Sequence, residues 1–180
     1  VKKVIDAAEK FRYAEKPDIR HFMLVRLLLT TGIKKGECLN LTLNHIDFES
    51  PKGPMLYVRY ANPQYRYKER NIPIPDDWVD AYPEYEAEFE LTDRLFPWSP
   101  RRLEYLLEDL SDEAEFDKHL SFDMCRWTCS LIDWDVGMKP NKIRQKLGIS
   151  KVQWREVRLK LRKLSKMAPK DYEAVVLNNS

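Results

Sequence analysis

The stretch Leu28-Leu29-Thr30-Thr31-Gly32-Ile33-Lys34-Lys35-Gly36-Glu37-Cys38-Leu39-Asn40-Leu41, running on to His45-Ile46-Asp47, decides how this chain is read. It continues the apolar run Phe22–Leu29, so it is the end of a helix apolar enough to be buried deeply. Gly32 stops that helix, because glycine takes the left-handed backbone at a helix end without a Cβ penalty. A short helix follows around Lys35–Leu41, and a strand begins near Ile46. Upstream, Val4, Ile5, Ala8 and Phe11 recur at helical spacing, which predicts a helix over residues 1–14; Pro17 and Asp18 open the next.

Downstream, residues 46–49, 55–60 and 70–74 carry β-branched and aromatic residues, with turns at Ser50-Pro51-Lys52-Gly53 and Asn62-Pro63 between them. They read as a small antiparallel sheet whose second turn, Asn62–Lys68, is rich in Tyr, Arg and Lys. The acidic stretch beyond contains Pro75 and Pro83 and is expected to hold short helices. Pro97–Pro100 breaks the chain before a helix near 100–110, and Ser121 caps another that runs to Val136. After Gly137, Pro140 starts a short helix that Gly148 ends, and a long helix runs from Lys151 to Met167. The expected fold is mainly α with a small antiparallel β-sheet, an α+β class. Residues 1–170 form the domain, residues 139–167 a helix-turn-helix-like part within it, and residues 171–180 a flexible tail.

At 180 residues, with 43% hydrophobic and 33% charged, the chain suits one soluble domain. No apolar run approaches the roughly 18 residues of a membrane span, and no signal peptide is visible. The first residue is Val1 rather than Met, which points to a fragment with a domain upstream. Cys38, Cys125 and Cys129 fit a reducing cytoplasm, nucleoid-associated in a prokaryote, rather than a disulfide framework. Cys125 and Cys129 have no matching Cys/His pair, so they read as core residues, and no metal or cofactor is expected. Trp127, Trp134 and Trp154 read as core packing in the same way.

The net charge of +2 hides a strong asymmetry. Acids dominate from Asp76 to Asp117, whereas from Lys139 to Lys170 twelve cations, Arg144 and Lys146 among them, face only Glu156. In the last helix Trp154, Val157, Leu161 and Leu164 share one face, while Lys151, Arg155, Arg158, Arg162 and Lys166 share another. A positive stripe opposite an anchoring apolar stripe suits a helix laid on a phosphate backbone; a solvated or protein-binding face is the alternative.

Taken in order, four landmarks resemble the catalytic domain of tyrosine recombinases, the phage-type integrases. Thr31-Gly32-Ile33-Lys34 with Glu37 and His45-Ile46-Asp47 is similar to the family's first signature, Thr-Gly-Leu-Arg leading to an Ile-Asp strand. Tyr57-Val58-Arg59 through Lys68-Glu69-Arg70-Asn71-Ile72-Pro73 resembles its β-hairpin. Leu95-Phe96-Pro97 before a helix, and His119 to Thr128 ahead of Leu147-Gly148, stand where its later landmarks belong. The likeness covers nearly the whole chain and is closest in character to integrase-like proteins of archaea and their viruses.

The resemblance implies a metal-free attack of a Tyr on a DNA phosphodiester, with two Arg forks on the phosphate, a hairpin Lys and assisting His residues. Arg126 stands at the second Arg position and Lys34 at the first, where Lys keeps the charge and loses the planar fork. The hairpin Lys position falls near Tyr65 or Arg66, with Lys68 available if the register shifts. Asp123 replaces a His and is spaced to pair with Arg126; Ile149 replaces a His or Trp. The nucleophile position falls near Arg158, and no Tyr lies between Tyr105 and Tyr172. The resemblance therefore implies a double-stranded-DNA-binding domain with an impaired active site, able to self-associate on DNA. Its catalytic candidates are Arg126, Lys34 and Tyr172. Its DNA contacts are Arg66, Lys68, Lys142, Lys151, Arg155, Arg158, Arg162 and Lys166. The alternatives are an active recombinase using Tyr172 or a nucleophile supplied in trans, a helix-turn-helix transcriptional regulator, and a protein-interaction domain.

Overall fold

Helix α2 (Arg20–Thr31) is buried on every side, with all but the first of its 12 residues shielded from solvent. A helix buried all round belongs in the middle of a core, and helices from both sides of it in sequence pack on it. In this computed structural model, which describes residues 1–167, α1 (Lys2–Arg12), α4 (Asp76–Glu88), α5 (Pro100–Glu113) and α6 (Phe122–Asp135) all pack against α2. The buried arginine of α2, Arg26, is 0% exposed and meets Asp77 of α4 at 2.8 Å through Nε. Trp78 of α4 donates its indole N–H to the Met23 carbonyl at 2.9 Å, so its polar edge is satisfied in the core.

After α3 (Lys35–Asn40) the chain forms three short strands, β1 (Ile46–Asp47), β2 (Met55–Val58) and β3 (Arg70–Pro73). They make an antiparallel sheet in the order β1-β2-β3, with Ile46 opposite Leu56 and Leu56 opposite Ile72. The strands are shorter than the sequence pattern predicts: β2 stops at Val58, ahead of Pro63–Lys68, which coils into 3-10 turns, and β1 and β3 end at Asp47 and Pro73. Asn62 caps those turns by accepting the Gln64 N–H at 3.0 Å.

The acidic stretch corrects a sequence expectation. Instead of short helices it forms one 13-residue helix, α4, with Pro83 inside it. Proline in a helix interior loses a hydrogen bond. Buried Trp78, Ala81, Tyr82 and Tyr85 on the inner face hold the helix together across it.

The C-terminal third adds a second, smaller core. Leu131 of α6, Ile143 and Leu147 of α7 (Pro140–Leu147), and Trp154 and Leu161 of α8 (Lys151–Ser165) form it. Ser121 caps α6 at 3.1 Å, and Ser150 caps α8 at 3.2 Å in a capping box with Gln153. Gly32 joins the two cores. Its φ is +62°, and a Cβ there would sit 3.2 Å from the Cys129 sulfur, so this close approach of α2 to α6 requires glycine. Among the described residues no helix is long and apolar enough to cross a membrane.

Candidate functional site

The left-handed turn at Gly32 delivers Lys34 to the start of α3, where its backbone N–H donates to Glu37 Oε1 at 2.9 Å. Glu37 is buried, and Arg70 at the start of β3 grips it with two bonds, Nη1 to Oε2 at 2.5 Å and Nη2 to Oε1 at 2.9 Å. The Tyr60 hydroxyl donates to the same Oε2. Burial opposes ionisation of Glu37, but the Arg70 fork outweighs it and holds the carboxyl at about 2. Burial, then the Glu37 carboxylate, pushes the Tyr60 phenol up to about 12. Arg70 also donates Nε to the Lys146 carbonyl at 2.6 Å and Nη1 to the Lys68 carbonyl at 2.9 Å. One guanidinium thus ties α3, the hairpin and α7 into a knot. Gly148 makes room for it, since a Cβ there would lie 2.6 Å from Arg70 Nη1.

Arg126, on α6, is the second anchor. Its Nη1 donates to the Gly32 carbonyl at 2.5 Å and its Nη2 to the Leu147 carbonyl at 2.7 Å. Both acceptors belong to helix C-terminal ends, where the backbone carries partial negative charge. Neutral carbonyls orient the guanidinium without cancelling it. The expected pair with Asp123 does not form: no ion pair joins the two among the described residues, because the fork is aimed at the backbone and Asp123 lies exposed.

Lys34 sits half-buried among these groups. Burial lowers its ammonium pKa, and Arg126, Lys68 and Arg70 lower it further, with Glu37 as the opposing influence. The hairpin contributes Lys68, which ends the 3-10 turns and lies half-buried with its Nζ 4.6 Å from the Tyr65 ring centre. Arg66 and Tyr65 lie exposed on that turn. The structure therefore brings together Lys34, Lys68 and Arg126, and leaves Arg66 outside.

Two clefts open beside Arg126. One of about 600 Å³ is bounded by Lys34, α5 and the N-terminal turn of α6. A smaller one of about 120 Å³ is lined by Asp123, Ile149 and Val157. Val157, rather than Arg158, is thus the α8 residue on the Arg126 side, while Arg158 is exposed. Tyr172 lies outside the described residues.

On α8 the two faces separate as the spacing predicts. Trp154 and Leu161 are buried, Val157 and Leu164 half-buried, and Lys151, Arg155, Arg158, Arg162 and Lys166 exposed. Lys142 is exposed on α7. The basic run is not all surface, however. Lys146 pairs with buried Asp133 at 2.7 Å, and Arg144 is spent on Asn141 at 2.9 Å and the Ile149 carbonyl at 3.2 Å. Trp127 is half-buried under the Lys160 ammonium, 3.8 Å from its ring centre. The role of Arg70 and Glu37 escaped residue-by-residue reading. Both stand in the motifs quoted above, but their pairing spans 33 positions and no local spacing encodes it. Asp133–Lys146 had no sequence signal.

No family model matches this sequence, and no curated protein matches it. Solved structures do. A crystal structure of the XerA recombinase is similar with a TM-score of 0.71 at 21% identity, covering 94% of this chain and 63% of that one. The XerH site-specific recombinase bound to its difH substrate in a pre-cleavage complex gives 0.73 at 15%, covering 92% and 50%. The Tn1549 transposon integrase in complex with circular intermediate DNA gives 0.66 at 15%, covering 97% and 64%. The chain thus spans between half and two thirds of these neighbours, and at such identities the likeness is one of fold: mainly helical with a small antiparallel sheet, tyrosine recombinase/integrase-like.

Proposed function

We propose, from the premise of a tyrosine recombinase/integrase-like fold, that this chain is the DNA-binding domain of a recombinase- or integrase-like protein and that it holds the DNA backbone without breaking it. The observation that carries this reading is the cation cluster around Lys34: burial, then Arg126 and Lys68, oppose its charge, and the nearby Glu37 carboxylate, gripped by Arg70, offsets them only in part. A phosphodiester placed between Lys34, Lys68 and Arg126 relieves that repulsion and accepts charge-assisted hydrogen bonds. The exposed stripe Lys151, Arg155, Arg158, Arg162 and Lys166, with Lys142 and Arg66, supplies further backbone contacts. The partner is double-stranded DNA, on which copies of the chain self-associate.

The groups around Arg126 support a reading without cleavage. In-line attack needs a free hydroxyl beside the phosphate. Among the described residues of the smaller cleft at Arg126, Val157, Ile149 and Asp123 offer none, and the Ser130 hydroxyl donates to the Arg126 carbonyl at 2.8 Å. Lys34 offers a point charge where a fork would bind two oxygens. Each lost transition-state donor costs orders of magnitude in rate.

Binding to a mixed-sequence duplex, followed by fluorescence anisotropy across a salt series, tests the reading. A steep log–log slope is expected, shallower by roughly 0.9 for each phosphate contact removed in Lys34→Gln and Lys68→Gln. No binding at low salt overturns it. Supercoiled plasmid should remain unrelaxed without metal; relaxation that vanishes in Tyr172→Phe would replace this reading by an active recombinase.

A further inference from the structure

The cleft of about 600 Å³ beside Lys34 and Arg126 is far larger than a backbone phosphate needs, and it falls in the range of pockets that enclose whole small ligands. Its cationic end is the phosphate site proposed above. Glu104 of α5 lies on one wall, where it is already paired with Lys35 and, at 3.3 Å, with Arg101. Leu120 and Phe122 contribute apolar edges. Asp123 faces the same space from the first turn of α6 and has no ion-pair partner among the described residues.

Cation, apolar wall and a carboxylate free to accept are the three surfaces of a nucleotide: phosphate, base plane and base edge. We infer that this cleft takes a nucleotide swung out of the bound DNA, its phosphate on Lys34 and Arg126 and its base edge on Asp123. This inference rests on the DNA-binding reading. A carboxylate accepts hydrogen bonds and donates none. Cytosine, adenine and guanine each offer an exocyclic amino group to it, whereas thymine offers one ring N–H flanked by carbonyl oxygens that repel it. The cleft therefore selects against thymine. Extrusion costs a few kcal/mol in a paired duplex and least for an unpaired nucleotide, so the preference shows most clearly on bulged DNA.

The experiment compares a perfect duplex with duplexes carrying one extra cytosine, adenine, guanine, thymine or abasic residue, each titrated with the full chain. The amino-bearing bulges should bind about tenfold tighter than the thymine and abasic bulges. Asp123→Asn should level the four bases, because an amide both donates and accepts; Asp123 is exposed, so the variant keeps its fold. An abasic bulge that binds as tightly as the others would assign the gain to duplex flexibility and overturn the inference. Equal binding of every bulge and the perfect duplex overturns it too, and leaves the DNA-binding reading standing. No binding to the perfect duplex removes both.

Discussion

The buried cations and the cations of the cleft and α8 are treated in opposite ways. Arg26, Arg70 and Lys146 each meet a carboxylate, at 2.8, 2.5 and 2.7 Å; the first two join elements distant in sequence, and the third joins the neighbouring helices α6 and α7. Lys34, Lys68 and the α8 stripe meet none among the described residues. A buried charge without a counter-charge is strongly destabilising, so these three cations each carry an acid, whereas Arg126 is anchored by neutral carbonyls alone. Where the acid is withheld, the charge remains available to an outside anion. Cations of the first kind should govern stability and leave affinity to those of the second, and each variant below tests that division.

The largest effect is expected from Glu37→Gln. It strands the Arg70 charge among the carbonyls of Lys68 and Lys146, at a cost of about 3–5 kcal/mol. Thermal unfolding should move down by about 10 °C. A shift of a degree or two would mean that the knot does not hold α3, hairpin and α7 together. The same group sets an acid limit. Its folded pKa, about 2, lies below its ordinary value of 4.5, so its stabilisation is complete above pH 4.5 and lost as pH falls toward 2. Roughly 3 kcal/mol should disappear across that window in the parent and not in Glu37→Gln, as denaturant titrations at each pH would record.

Gly148→Ala comes next. It combines a left-handed φ of +64° with the clash against Arg70, and should cost about 2 kcal/mol, read as a lower denaturant midpoint. A neutral result would show that Arg70 can move aside.

The binding cations should leave stability nearly untouched. Lys34→Gln removes a repelled charge, so its melting temperature should equal or slightly exceed the parent's while DNA affinity falls. Arg155→Ala with Arg162→Ala should reduce the salt slope by roughly 0.9 per contact and weaken binding less than Lys34→Gln with Lys68→Gln, because the inner pair is half-buried and its field less screened. Equal losses from both pairs would erase the distinction between cleft and stripe.

The elements were legible where one face of a local pattern is buried. Phe22–Leu29 and the Trp154, Val157, Leu161, Leu164 spacing announced α2 and α8, and Ser121 announced the start of α6. Pro83 misled, because a local penalty was overridden by the burial of Trp78 and Tyr85. In the site, Lys34 and Arg126 were legible from the order of landmarks. The position of Lys68 rather than Arg66 beside Lys34 was not, because a turn of 3-10 geometry rotates side chains by more than counting residues reveals; nor was that of Val157 rather than Arg158 on the Arg126 side, which is set by how α8 docks on α6.

The sequence by itself determined which residues are apolar in a helical or strand period, where glycine and proline punctuate them, and that positive charge gathers toward the C-terminal end. Those are local or additive properties. Only the tertiary structure decided which charges are cancelled. Arg70 and Lys146 look like Lys34 and Arg162 in one dimension, and whether a carboxylate stands within 3 Å depends on folding that brings Glu37 to β3 and Asp133 to α7. Coulomb energy depends on distance and burial, and neither is written in residue order.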